Sequence, residues 1–143
     1  MTRPRRALLI ATLLAACAGG VAACGEEGIS AQLTGQDREM AELFAERCSG
    51  CHTLTVAGTQ GSSTNVRTRE YKDGPNFDQR KETANCVLYA IRNGGFSSGP
   101  MPQDIVTGPE AEQLAEFVAK FSGSDVEEAP GEGSGAQRDC PSG

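Results

Sequence analysis

Two cysteines and the chain's single histidine fall within five residues, Cys48-Ser49-Gly50-Cys51-His52. Thiols separated by two residues, with an imidazole directly after the second, have the spacing at which c-type haem is attached to a polypeptide. Each thiol adds across a vinyl group to form a thioether, and the imidazole follows where it can ligate the iron. The same C-x-x-C spacing also serves zinc sites and redox dithiols. Zinc takes four ligands, and the sequence has no second C-x-x-C and no second histidine. A redox dithiol is expected within a βαβ pattern, which is missing here. Haem attachment is therefore the expectation.

The elements that must position this motif can be read on either side of it. Residues 37–47 carry Met40, Leu43 and Phe44 at i, i+3 and i+4, which predicts an amphipathic helix running into the motif. Residues 53–73 are rich in Thr, Ser and Gly and read as a long loop. A loop of that length in a compact domain needs something packed beneath it, and a porphyrin would serve. Gly74-Pro75-Asn76 marks a turn. A second helix is expected over 79–92, with Val87, Leu88 and Ile91 on one face and Asn93-Gly94-Gly95 as its stop. The stretch 96–106 contains Gly99-Pro100-Met101-Pro102, and its prolines exclude regular helix. A third helix is expected after Thr107, which forms a capping-box pattern with Glu110. Its apolar positions are Leu114, Phe117, Val118 and Phe121, and Gly123 closes it. Phe44 and Phe117 read as core between the first and last helices. The expected fold is all-α, about three helices and long loops wrapped around one haem.

The ends read differently. Arg3, Arg5 and Arg6 precede a short apolar run, which predicts a secretory signal over 1–23. Two places resemble bacterial lipoprotein signals, Leu14-Ala15-Ala16-Cys17 and Val21-Ala22-Ala23-Cys24. Cys24 is favoured as the lipidated residue, because a polar stretch follows it and cleavage there removes Cys17; an uncleaved anchor or an ordinary cleaved signal are the alternatives. The expected layout is a signal over 1–23, a tether over 24–35, a folded domain over 36–123 and an acidic, Gly-rich tail over 124–143. Cleavage before Cys24 would leave 10 basic against 19 acidic residues, a balance of −9. Such a chain repels nucleic acid, which is excluded as a partner. Export places the remaining cysteines in an oxidising compartment. With two thiols given to haem, parity leaves Cys86 and Cys140 as a disulfide, the alternative being two unrelated thiols.

In order and spacing these pieces resemble a class I, monohaem cytochrome c over about residues 37–121. Phe44 stands four residues before the first motif cysteine, like the aromatic of that family's first helix. The motif follows, then Leu54 and Ala57-Gly58-Thr59, then Gly74-Pro75-Asn76-Phe77, and last Met101 in a Pro-flanked loop before the terminal helix. The resemblance implies thioether bonds at Cys48 and Cys51 and His52 as proximal iron ligand. It implies Pro75 as the carbonyl that receives the imidazole N–H, and Met101 as distal ligand. His/Met ligation raises a haem's reduction potential relative to harder ligand sets. Met40 reads as packing, while the roles of Tyr71, Phe77 and Tyr89 stay open. The polar segment 61–73 is one that shorter family members would not need, and it reads as a shield for a haem edge or a partner contact. Six cations, Arg67, Arg69, Lys72, Arg80, Lys81 and Arg92, cluster between residues 67 and 92, against acids on the first and last helices. That asymmetry either steers docking or is solvated surface.

The function these features imply is single-electron transfer outside the cytoplasmic membrane by a lipid-anchored carrier. Its expected partners are a quinol-oxidising complex and a terminal oxidase or other reductase. A tether raises effective concentration without demanding a tight interface. Two rivals remain open at this point: a haem enzyme or sensor with an open sixth iron position, and a fixed subunit of a larger redox complex.

Overall fold

A computed structural model describes residues 28–65, 67–96, 99–126 and 140. The expected signal, the lipidation site Cys24 and the tail from 127, Cys140 apart, lie outside the described residues. Three α-helices carry the fold: α1 (Gly35–Cys48), α2 (Ala84–Asn93) and α3 (Gly108–Phe121). α3 is the hub, packing along both α2 and α1. The fold is all-α in its main elements, three helices as expected from the pattern of apolar positions.

Each helix buries the stripe its sequence marks. Met40, Ala41 and Phe44 are buried on α1, Cys86, Val87 and Ile91 on α2, and Ala111, Leu114, Ala115, Phe117 and Val118 on α3. Phe44 and Phe117 belong to one continuous core. Leu43, Leu88 and Phe121 sit at its edge, partly covered. Lys120 on α3 reaches Asp37 on α1 at 2.7 Å, an ion pair across the helix contact.

Four local expectations are corrected. The segment 53–73 is not all loop. Thr53–Leu54 (β1) pairs antiparallel with Thr59–Gln60 (β2), a short 3-10 turn at Thr55–Ala57 joining them. Two-residue strands are too short for any period-2 pattern to reveal. Second, α2 begins at Ala84 and not at 79. Thr83 is its N-cap, accepting the Cys86 N–H at 3.2 Å. Residues 81 and 82 are instead claimed by Ser122: Lys81 Nζ donates to its carbonyl at 3.0 Å and the Glu82 N–H to its hydroxyl at 3.0 Å.

Third, Thr107 is the N-cap residue of α3 but its side chain makes no capping bond, so the capping box does not form. Pro109 enters the first turn of this helix, where its missing N–H costs nothing. Fourth, the described end of the tether is docked. The Ser30 N–H donates to the Val56 carbonyl at 3.0 Å, and Leu33 is buried in the core. An apolar residue next to an open core is drawn in regardless of its polar neighbours, so the folded unit begins near residue 30.

Candidate functional site

α1 ends at Cys48, so the last turn of a well-packed helix delivers the motif. The N–H groups of Cys51 and His52 both donate to the Cys48 carbonyl, at 3.2 and 3.0 Å, closing a tight turn after the helix. The turn is braced from two sides. Gly61 donates to the His52 carbonyl at 3.1 Å and Gly74 to the Cys51 carbonyl at 2.7 Å. Both braces require glycine for lack of space. A Cβ on Gly61 would lie 1.9 Å from the Ser49 carbonyl oxygen, and one on Gly74 would lie 2.3 Å from His52 Cε1.

The imidazole is held as tightly. His52 Nδ1 lies 3.1 Å from the Pro75 carbonyl oxygen. A carbonyl only accepts, so Nδ1 carries the proton and Nε2 keeps the free lone pair. Burial lowers the imidazole's pKa, and the bond to Pro75 opposes that shift. Neutral imidazole is the form that ligates a metal. Burial, together with the neighbouring Cys51, pushes the Cys48 thiol up to about 12. Cys48 and Cys51 are both free, unpaired with each other.

These side chains open onto a cavity of about 720 Å³, in the upper part of the range typical of cofactor pockets, ~300–1,000 Å³. Its lining joins Cys48, Cys51 and His52 to Met101, with Val87 and Leu114 from the other helices. Met101 is partly buried against the core. Its loop leaves α2 through Gly94, in the left-handed conformation at φ 71°, where a Cβ would sit 3.0 Å from the Met101 carbonyl oxygen. Asp104, also at positive φ, ties the loop back by donating its N–H to Ile91 at 2.9 Å. The structure thus gathers every residue singled out for the site: Cys48, Cys51, His52, Pro75 and Met101 line one cavity.

A family model described as Cytochrome c matches residues 39–122, well over half of the chain. The chain belongs to the cytochrome c family. None of the curated proteins matches it. The cytochrome accordingly takes covalent haem c and acts as an electron carrier rather than a catalyst. Its residues fit that group: a largely apolar cavity, two free thiols at its wall, and a glycine that leaves room only for the imidazole.

Cys86, which also lines the cavity, is bonded to Cys140 with a Cα–Cα separation of 5.1 Å. Half of the basic cluster of the cytochrome is paired with carboxylates in place. Lys72 pairs with Asp73 at 2.9 Å and Glu70 at 3.5 Å, Arg80 with Glu82, and Arg92 with Glu112 at 3.3 Å. Arg67 and Arg69 alone of the six have neither a carboxylate nor, like Lys81, a tie to α3 among the described residues.

Sequence reasoning passed over two carboxylates that hold the site's scaffold. Asp78 accepts the Thr55 N–H and hydroxyl, at 3.0 and 2.8 Å, joining the 3-10 turn to the chain beyond Pro75. Asp73 accepts the N–H groups of Glu70 and Ser63 at 3.0 and 3.2 Å and Lys72 Nζ at 2.9 Å. Those donors, Glu70 first, hold its carboxyl down to about 2. Asp73 thereby turns the extra segment 61–73 into a fixed brace that starts at Gly61 and ends at Gly74. Neither role has a motif, because each depends on which distant N–H the fold brings near.

Proposed function

We propose that this cytochrome is an exported, membrane-tethered, class I monohaem electron carrier in which His52 and Met101 are the axial iron ligands. The supporting observation is the His52–Pro75 hydrogen bond at 3.1 Å, which leaves Nε2 as the donor atom in a cavity that also holds the Met101 side chain. Bound there, the haem supplies an iron that gains and loses one electron. Cys48 and Cys51 hold it covalently. Pro75 fixes the imidazole tautomer and strengthens its donation. Met101 supplies a soft thioether that favours the ferrous ion and raises the potential. The apolar walls from Phe44, Val87, Ile91 and Leu114 keep water from the iron.

The tether reading rests on the sequence around Cys24 and places the domain at the outer face of the cytoplasmic membrane. Among the described residues the chain is already docked at Ile29 and Ser30. Donor and acceptor are redox proteins, a quinol-oxidising complex and a terminal oxidase or other reductase. No helix among the described residues is long and apolar enough to cross a membrane; in this reading a lipid on Cys24 makes the attachment. Labelling with a radioactive fatty acid tests it: label should enter the parent and be lost in Cys24→Ser. Label retained in Cys24→Ser would reject that site.

The ligand set is tested on the exported holoprotein. The ferric form should show the weak near-infrared band of sulfur-to-iron charge transfer. Met101→Ala should abolish the band and lower the potential while haem stays covalently attached. An unchanged band and potential in Met101→Ala would reject Met101.

A further inference from the structure

Phe77 stands apart from the other aromatic residues. Its ring is stacked on the His52 imidazole, with centroids 4.9 Å apart and planes 13° from parallel. Tyr71, by contrast, is 80 % exposed, and Tyr89 stacks on Phe96. Phe77 is itself buried and immobilised. The edge of Phe44 meets it at 6.0 Å, and Phe44 also meets the imidazole at 6.5 Å. Its backbone is pinned at both ends: its N–H donates to the Thr53 carbonyl at 2.9 Å, and its carbonyl accepts the Gly123 N–H at 2.7 Å.

A single hydrogen bond does not fix an imidazole plane. The Nδ1–H bond to Pro75 selects the tautomer, yet the terminal torsion of a histidine is broad, and the ring can rock about that bond. Gly74 closes one side, its virtual Cβ lying 2.3–2.7 Å from Cε1 and both ring nitrogens. The remaining freedom is rotation of the ring plane, and a face-stacked aromatic opposes it directly. We infer that Phe77 is a positioning residue for the axial imidazole, setting its plane at the iron and through it the site's potential. This rests on the reading of His52 as an iron ligand.

The plane of an axial imidazole splits the iron's π-type d orbitals, so the ferric low-spin EPR g values report it apart from stability. Phe77→Leu should keep covalent haem and a low-spin ferric iron, shift the g values, and raise the potential, because a rocking ring makes a poorer bond to Pro75 and donates less to ferric iron. Phe77→Tyr, which keeps the stacked face, should restore both. Phe117→Leu, a core change away from the imidazole, should lower thermal stability and leave both unchanged. Should Phe77→Leu fail to accumulate, Phe77→Met carries the same expectations. Parental g values and potential in Phe77→Leu would overturn the inference, as would an equal shift in Phe117→Leu. A parent lacking a low-spin, histidine-ligated ferric signature would instead reject the ligand reading itself.

Discussion

The two sides of the cavity are built to different standards. On the His52 side, backbone bonds from Gly61, Gly74 and Phe77 converge on residues 51–53. The imidazole adds its own bond to Pro75 and a stacked ring. On the Met101 side, the described part of the loop between α2 and α3 is fastened by bonds from Gly95 to Ala90 and from Asp104 to Ile91, both back to α2. Met101 reaches the cavity from between two prolines, which can donate no backbone bond of their own. In the ligand set proposed above, His52 is preorganised by the polypeptide. Met101 would be held by packing and by its bond to the iron, so it is the side expected to let go first.

The sharpest way to break this comparison is to add one methyl group to each side. Gly74→Ala places a Cβ 2.3 Å from the imidazole, and neither backbone nor ring can yield without losing the Pro75 bond. Loss of holoprotein yield, or destabilisation of about 3 kcal/mol or more, is expected. Gly95→Ala places its Cβ 3.8 Å from Met101 and costs only the positive φ of 88°, about 1–2 kcal/mol. Denaturant unfolding of the two holoproteins would show the asymmetry, and equal losses would remove it.

Of comparable size is the Cys86–Cys140 bond, which closes a ring of chain containing the whole Met101 loop and α3. Chain entropy assigns such a closure about 4 kcal/mol. The double variant Cys86→Ser, Cys140→Ser should unfold at correspondingly lower denaturant, and the near-infrared band should fade before the helical signal.

The carboxyl of Asp73 gives a smaller, pH-dependent effect on the His52 side. Its folded pKa of about 2 lies below its ordinary 3.8, so the ionised group favours the folded state. That contribution is complete above about pH 4 and is lost as the pH falls through 2. The thermal stability of the parent should fall as the pH drops through this window, and Asp73→Asn should be less stable at pH 7 with a flatter acid limb. Smallest is the Lys120–Asp37 pair. It is largely exposed and worth about 0.2–1 kcal/mol, so Lys120→Ala should shift the melting temperature slightly and the shift should shrink in high salt.

Much of this architecture could be read before any coordinates. The three helices and the residues gathered at the cavity were marked by local signals: the i, i+3, i+4 stripe of Met40, Leu43 and Phe44, the five-residue motif, and a methionine between prolines. The illegible parts depend on distant partners. Residues 79–82 look helical, but Ser122 claims the polar groups of Lys81 and Glu82. Leu33 looks like tether until the core beside it is known to be open. The stack of Phe77 on His52 joins residues 25 apart whose meeting depends on the Gly74-Pro75 turn. The cluster of cations left steering surface and plain solvated surface equally open, and its pairing could not be read either: Glu70, Asp73, Glu82 and Glu112 lie within reach of half of it.

A denaturant titration of the ferric holoprotein, following the sulfur-to-iron band together with far-ultraviolet circular dichroism, tests the central contrast most directly. The sulfur band should disappear at lower guanidinium concentration than the helical signal, with the iron still bound by histidine in between. Simultaneous loss of both signals would contradict it, because it would mean that Met101 is held as firmly as His52.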